Sequence, residues 1–221
     1  MLAMITLTEE NYIKAIYQLG KYGTVTVSTN SIADALDTKA SSVTDMIKKL
    51  ADKGYVNYKP YQGVNLTQKG KKVAADVVRK HRLWEVFLVE KLNFSWDEVH
   101  EIAEQLEHIK SEKLINELDK LLDYPTHDPH GDPIPDKSGD IKKTDKILLF
   151  NLEERAKGIC VGVKDTSPAF LKYLDKHNIA LGSNITVLSK EDFDDSMVIQ
   201  IGEGAINISQ IVANNLFVKV Q

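Results

Sequence analysis

The sequence has few of the features that mark membrane, secreted or disulfide-stabilised proteins. No apolar run approaches the roughly 18 to 20 residues that a helix needs to cross a bilayer. The opening residues MLAMITLTEENY lack the basic segment and the apolar stretch of a signal peptide. A single cysteine, Cys160, excludes an internal disulfide and any zinc site built from several cysteines. We therefore expect a cytoplasmic protein without a membrane partner, in which nitrogen and oxygen atoms hold any metal.

Motifs of common enzyme classes are also missing. His100 and Glu101 begin the H-E-x-x-H pattern of zinc hydrolases, but position 104 is Glu, so the second histidine is absent. The chain has no G-x-S-x-G nucleophile elbow and no glycine-rich phosphate loop. Cys160 lies in an apolar stretch, which favours a buried structural thiol over a nucleophile. The sequence therefore does not predict an enzyme.

Charge is unevenly distributed along the 221 residues. Residues 1–75 carry 10 Lys and Arg against 6 Asp and Glu, a net charge of +4, whereas residues 76–140 carry 8 against 16, a net charge of −8. Residues 141–221 carry 10 of each sign. The basic first third favours contact with a polyanion, and the acidic second third favours binding of a cation. An incidental distribution of surface charge is the alternative.

The first third has the order of elements of a winged helix-turn-helix. A helical pattern begins at Thr8, two short amphipathic helices follow with a turn-like segment at 37–39 between them, and Gly54 ends the second. Alternating residues over 55–58, a turn, and a return over 64–66 predict a small hairpin. The alternative is a helical hairpin whose polar residues only face water.

A winged helix-turn-helix places its second short helix in the major groove and its wing along the DNA backbone. The predicted base-reading positions are polar, lie at the start of that helix and fall outside its apolar stripe: Lys39, Ser41, Ser42, Thr44 and Asp45. Contacts to phosphates orient a protein on DNA without reading its sequence. The predicted phosphate-contacting positions are Lys48, Lys49, Lys59 and Tyr61.

The rest of the chain divides into a helical part and a β-rich part. A helix is predicted from Gln68 to about Leu92, a second after a capping box formed by Ser95 and Glu98, and a third over 111–122 before a proline-rich stretch. Short β-rich runs and one helical stretch then predict a small SH3-like barrel. The predicted fold is mainly α with a smaller β part: a winged helix-turn-helix at 1–75, a helical domain at 76–140, a linker at 141–150 and an SH3-like domain at 151–221.

Histidines and carboxylates form two groups on the predicted helices of the acidic part. At about 100 degrees per residue, one helical face carries His100, Glu104, Glu107 and His108. Upstream, His81 and Glu85 are four residues apart on the long helix. Carboxylates and imidazoles at these spacings can converge on one divalent ion. A solvated acidic face is the alternative, but two such groups on adjacent helices favour a metal site.

The order of these motifs resembles that of the diphtheria toxin repressor family, including its manganese-sensing members. The resemblance spans essentially the whole chain and rests on the winged helix, K-H-R-L-x-E, V-H-E-x-A-E-x-L-E-H, D-P-H-G-D-P-I-P and the β-rich tail. It implies a homodimer that binds palindromic operator DNA when loaded with Mn(II) or Fe(II) and represses metal-uptake genes. The helical domain would dimerise and hold the metals, and the last domain would be SH3-like, as in FeoA.

The resemblance also implies the ligands of a primary metal site. These would be Glu104, Glu107 and His108, completed from the first helix by Asn11 or by Glu10. The family usually has Met or Asp at the position of Asn11, and a neutral amide oxygen is a weaker ligand than a carboxylate. Iron-sensing members commonly have Cys at the position of Glu104, so the carboxylate here favours Mn(II) over Fe(II).

A second metal site is implied in the same way. Its ligands would be His81, Glu85 and His100. In some members the proline-rich loop and the SH3-like domain contribute as well, which here points to Asp128, His130 and Asp165. Two other functions fit the residues: a metal-independent winged-helix regulator, and a cytosolic metal-storage or metal-delivery protein with a degenerate helix-turn-helix.

Overall fold

The computed structural model describes residues 5–142 and 145–221, which form two compact units. Unit 1 comprises the described residues within Met1–Trp84, together with Glu104–Leu118 and Ile134–Ile141. Unit 2 comprises Glu85–Ala103, Asp119–Pro133 and the described residues within Lys142–Gln221. Positions 143 and 144 of the predicted linker lie outside the described residues, and the predicted domain boundaries stay predictions. Within the described ranges, no helix is both long enough and apolar enough to cross a membrane.

Unit 1 begins with three helices: α1 (Leu7–Leu19), α2 (Thr29–Ala35) and α3 (Ala40–Asp52). The expected helix start at Thr8 was wrong, because Thr6 caps α1. The Thr6 hydroxyl accepts a hydrogen bond from the backbone N–H of Glu9, and the Glu9 carboxylate accepts one from the backbone N–H of Thr6. This reciprocal pair satisfies two of the backbone donors that a helix start leaves without partners.

The wing consists of β1 (Val56–Lys59) and β2 (Gly63–Leu66), which pair antiparallel. Gly63 has a φ of +85°, and a Cβ there would lie 2.7 Å from the carbonyl oxygen of Val27, so this close approach requires glycine. The core of unit 1 joins the faces of α1, α2 and α3 to the wing. Its fully buried members include Ile13, Ile32, Val43, Ile47, Leu50 and Val64. The predicted winged helix-turn-helix is therefore confirmed.

Three further helices follow: α4 (Gln68–Leu92), α5 (Val99–Leu106) and α6 (Glu112–Leu121). The bounds of α4 confirm the long helix expected from the sequence. The expected start of the next helix at Ser95 was wrong, because the turn at 96–98 is not helical. Ser95 donates both its hydroxyl and its backbone N–H to the Glu98 carboxylate, so only half of the capping box forms.

The β-rich part of unit 2 is one antiparallel sheet. Its strands are β3 (Ile147–Leu148), β4 (Lys157–Val163), β5 (Asn184–Lys190), β6 (Met197–Ile201), β7 (Gly204–Ile208) and β8 (Leu216–Val220), in the order β3-β8-β4-β5-β6-β7. Two helices accompany it, α7 (Pro168–Lys176) and α8 (Gln210–Ala213). The sequence predicted the longer strands and α7 but missed β3 and α8, which are too short to show a period. Cys160 is a residue of β4 and its side chain is buried in the core of unit 2, as expected for a structural thiol.

Candidate metal centre and DNA-reading helix

The first cluster of site residues lies in unit 1 around the carboxylate of Glu107, a buried residue that directly follows α5. Its Oε2 atom lies 2.6 Å from Nδ1 of His81 on α4, and it accepts a 2.6 Å hydrogen bond from Nζ of Lys14 on α1. Burial by itself raises the pKa of Glu107, but the hydrogen bond with His81 and the charge of Lys14 outweigh it, so the pKa lies below its ordinary value. Glu107 is therefore a carboxylate at neutral pH, as a metal ligand must be.

The other oxygen of Glu107 faces His108. Oε1 of Glu107 and Nε2 of His108 are 3.8 Å apart, which lets both atoms approach one small cation. Nδ1 of His108 donates a 2.6 Å hydrogen bond to Oε2 of Glu10, a buried residue of the first turn of α1. Metal-binding histidines commonly donate their second ring N–H to a carboxylate, which fixes the ring orientation. Glu10 is thus placed to orient His108.

Glu104 and Asn11 are the more exposed residues predicted for this site. Glu104 lies one turn before His108, and its Oε1 is 3.7 Å from Nζ of Lys14. Its side chain is 55% exposed, so it has room to turn toward a bound ion. Asn11 is exposed on α1, and its role as a ligand stays a prediction.

The second cluster lies in unit 2. Glu85, Asp128 and His130 are buried, and each offers a potential ligand atom within 4.8 Å of the other two. Nε2 of His130 donates a 2.8 Å hydrogen bond to the carbonyl oxygen of Trp96, and Nδ1 lies 3.8 Å from Oε1 of Glu85. Burial lowers the pKa of His130, but the Glu85 carboxylate outweighs it and raises the pKa to about 9. The cluster is therefore rich in negative potential, which suits a cation.

Two other predicted residues of the second site have defined surroundings. Nδ1 of His100 lies 3.5 Å from Oε1 of Glu85. Asp165 accepts a hydrogen bond from the backbone N–H of Ser167, the residue that caps α7. Participation of His81 and Asp165 in a second metal site stays a prediction.

The predicted DNA-reading residues lie at the start of α3 and in the wing. Those exposed to solvent are Lys39, Ser41, Ser42, Asp45, Lys48, Lys49, Lys59 and Tyr61. Thr44 is half-buried and donates its hydroxyl to the carbonyl oxygen of Ala40, and its role in base reading stays a prediction. Lys49 forms a 3.0 Å ion pair with the buried Glu9, which ties the end of α3 to α1.

Comparison with known proteins agrees with this arrangement. Three family descriptions match: "Iron dependent repressor, N-terminal DNA binding domain" over residues 4–64, "Iron dependent repressor, metal binding and dimerisation domain" over 67–136, and "FeoA domain" over 147–220. A solved manganese-dependent transcriptional repressor in complex with manganese has a TM-score of 0.86 at 32% identity, over 96% of this chain and 100% of that one. The chain belongs to the diphtheria toxin repressor family.

Other curated and solved members of this family have a similar sequence identity to this chain. The iron-dependent repressor IdeR of Mycobacterium tuberculosis is 38% identical over 128 residues, which is 58% of this chain and 55% of IdeR. This chain thus matches about half the length of the curated relatives. A structure of ScaR with bound Zn2+ has a TM-score of 0.75 at 34% identity, over 96% of this chain and 98% of ScaR.

Lys14 is the residue of the first cluster that the sequence analysis missed. It lies four residues after Glu10 on α1, and residues at this spacing share a helix face. A lysine on an otherwise apolar face was the available signal. Family resemblance did not point to it, because the implied ligand set contains only metal-binding side chains.

Proposed function

We propose that this chain is a transcriptional repressor that binds operator DNA as a homodimer when a divalent metal ion, Mn(II) or Fe(II), is bound by its first cluster. The observation that carries the proposal is the convergence of Glu107 and His108 in unit 1, with His108 held by Glu10 of α1. The same helix packs against the helices of the winged helix-turn-helix. Family membership supports a repressor, and no motif for catalysis competes with this function.

The donor set fits the proposed metal. Carboxylate oxygens and an imidazole nitrogen suit Mn(II) and Fe(II), whereas a thiolate would favour softer ions. Glu104, Glu107 and His108 would hold the ion, and Asn11 would complete the set. We assign Glu10 the role of orienting His108, because its carboxylate accepts the Nδ1 proton of that ring.

Manganese is the favoured metal within this proposal. Glu104 supplies a hard oxygen donor, and hard donors suit Mn(II). The similar solved structure described as a manganese-dependent repressor in complex with manganese supports the same choice. Because Mn(II) is the weakest binder in the divalent series, availability in the cell and site geometry must provide selectivity. The cytoplasmic location expected from the sequence stays a prediction.

A physical path leads from the cluster to the DNA-reading helix. A bound divalent ion would supply the positive charge that holds the carboxylates of α5 together with the start of α1. In that first turn, Glu9 accepts hydrogen bonds of 2.7 and 2.9 Å from Lys53, the C-cap of α3. Contacts that hold the start of α1 in place therefore also restrict the motion of α3. Less freedom of the reading helix reduces the entropy lost on binding DNA.

Exposed apolar side chains support the proposed dimer. In unit 2, Leu92, Leu121 and Tyr124 are 50%, 60% and 58% exposed. All three fall within the segment that matches the metal binding and dimerisation domain. Burial of such side chains between two copies would contribute favourable free energy, at roughly 25 cal/mol for each Å² of apolar surface.

The test is a fluorescence anisotropy titration of protein against the palindromic DNA upstream of its own gene or of a nearby metal-transport gene. Each titration is done in chelator, in Mn(II) and in anaerobic Fe(II). We expect metal to tighten binding by tenfold or more, equal to about 1.4 kcal/mol of coupling. Glu107→Gln should lose this gain in DNA affinity, whereas Glu101→Gln on α5 should keep it.

Other outcomes of this titration would indicate a different function or a different metal site. Equal DNA affinity in chelator and metal would indicate a metal-independent regulator. Tight metal binding without salt-sensitive affinity for any DNA tested would indicate metal storage or delivery. A normal metal response in Glu107→Gln, with unchanged circular dichroism, would refute the assignment of the metal site.

A further inference from the structure

Lys14 is a buried cation within the proposed metal site. The residue is 6% exposed, and its Nζ atom lies 2.6 Å from Oε2 of Glu107, 3.7 Å from Oε1 of Glu104 and 3.3 Å from Nδ1 of His81. A buried ammonium is costly unless it is paired. The two carboxylates that pair with it are also the proposed ligands of a divalent ion. Lys14 and the ion therefore act on the same negative charges.

The charges of the first cluster can be counted. Glu10, Glu104 and Glu107 contribute three negative charges, and Lys14 contributes one positive charge. With neutral histidines, the cluster has a net charge of −2, which a divalent ion neutralises. Without the ammonium the cluster would have a net charge of −3, which suits a trivalent ion better.

We propose that Lys14 determines the affinity and the charge selectivity of this metal site, by placing a fixed positive charge against the carboxylate ligands. This inference rests on the proposed function. Lys14 contacts Oε2 of Glu107, whereas Oε1 of the same carboxylate faces His108, so the ammonium and the ion can use different oxygens. The ammonium remains close to the bound ion and repels it.

Coulomb repulsion by Lys14 depends on the charge of the bound ion, whereas a contribution of Lys14 to packing does not. The interaction between a fixed charge and an ion is proportional to the charge of the ion. Removing Lys14 should therefore strengthen binding of a trivalent ion more than binding of a divalent ion. A side chain that only supports the shape of the site would change both affinities by the same factor.

The experiment measures the affinities of Mn(II) and Tb(III) for the full chain, without DNA. Competition with a chelating dye reports Mn(II), and Tb(III) luminescence excited through the protein's aromatic residues reports Tb(III). The variant is Lys14→Met, which keeps the length of the side chain and removes its charge. Lys69→Met is the matched control, because Lys69 is an exposed lysine of unit 1 that bonds to the carbonyl oxygen of Lys53. Lys14→Arg keeps the charge.

We expect Lys14→Met to bind Mn(II) at least tenfold more tightly than the unsubstituted chain. The logarithm of the factor for Tb(III) should be about 1.5 times that for Mn(II), because the ion charges are three and two. Lys14→Arg and Lys69→Met should bind both ions within about twofold of the unsubstituted chain. Thermal unfolding in chelator checks that each variant is folded.

Three results would overturn the inference. These are an unchanged Mn(II) affinity in folded Lys14→Met, a weakened one, or equal factors for the two ions. A failure of the proposed function would be recognised by a different result. In that case the unsubstituted chain and Glu107→Gln would bind Mn(II) with equal affinity. If Lys14→Met does not fold, an Arg variant that matches the unsubstituted chain in both affinities supports the role of charge, and one that loses charge selectivity refutes it.

Discussion

Substitution of Gly131 by Ala tests how the proline-rich loop holds the second cluster. Gly131 has a φ of +82°, and a Cβ at this position would lie 2.0 Å from the carbonyl oxygen of Val161 and 2.4 Å from Cα of Gly162. Both atoms belong to the backbone of β4, so no side-chain rotation can relieve the overlap. The loop must move away from the strand by more than 1 Å to reach ordinary contact distances of about 3.5 Å.

The cost can be estimated from the contacts that this movement breaks. An alanine at left-handed φ costs about 1 to 2 kcal/mol relative to glycine. The hydrogen bond from the backbone N–H of Val163 to the carbonyl oxygen of His130, 2.9 Å long, contributes about 1 kcal/mol more. With lost packing around the loop, we expect Gly131→Ala to lower the free energy of unfolding by about 3 to 5 kcal/mol.

Gly182→Ala is the matched control in the same unit. Gly182 has a φ of +84°, but a Cβ there would meet nothing within 4 Å, so only the backbone strain of about 1 to 2 kcal/mol applies. Urea unfolding gives the free energies of unfolding. Hydrogen exchange of the Val163 amide shows directly whether its hydrogen bond to the loop is kept. If Gly131→Ala costs no more than Gly182→Ala, or if Val163 keeps its protection, the close approach does not constrain the loop as argued.

Three further predictions concern other parts of the chain. Burial raises the pKa of Glu9, but hydrogen bonds from Lys53 and from the Thr6 backbone outweigh it and lower the pKa from 4.5 to about 2. This ion pair therefore stabilises the fold above pH 4.5 and loses its effect as the pH falls toward 2. Glu9→Gln should cost about 2 to 3 kcal/mol at pH 7 in urea unfolding and little at pH 2, and a pH-independent cost would contradict the pairing. Burial also raises the pKa of the Cys160 thiol, so Ellman's reagent should label the folded chain slowly and the urea-unfolded chain fast; fast labelling of the folded chain would be inconsistent with a core position. Ser167→Ala should cost about 1 kcal/mol, because Ser167 caps α7, and a thermal unfolding midpoint equal to that of the unsubstituted chain would show that the cap contributes nothing.

Local patterns were sufficient wherever neighbours in sequence decide the structure. The apolar stripe of α3, the length of α4 and the hairpin of the wing follow from periodicity and turn residues, and all three were confirmed. Element ends were less well predicted. At α1, Thr6 and Thr8 both suit a helix cap, and the Glu9 carboxylate selects Thr6 because it lies three residues after that one.

The types of residue in the candidate metal centre were also evident from sequence, but their pairing was not. Helical spacing placed Glu104, Glu107 and His108 on one face, because 3.6 residues per turn is a local property. Lys14 contacts Glu107 across 93 positions, a separation at which the sequence has no periodic signal. Only the tertiary approach of α1 to residues 107 and 108 decides that contact.

The sequence by itself therefore determined the class of fold and the chemistry of the donor atoms. The tertiary structure decided which oxygen of Glu107 faces His108, which carboxylate orients that ring, and which cation lies beside the ligands. The physical reason is that donor chemistry belongs to each side chain, whereas the charge and geometry of a site depend on distances between helices. Those distances are set when apolar surface is buried, by residues far apart along the chain.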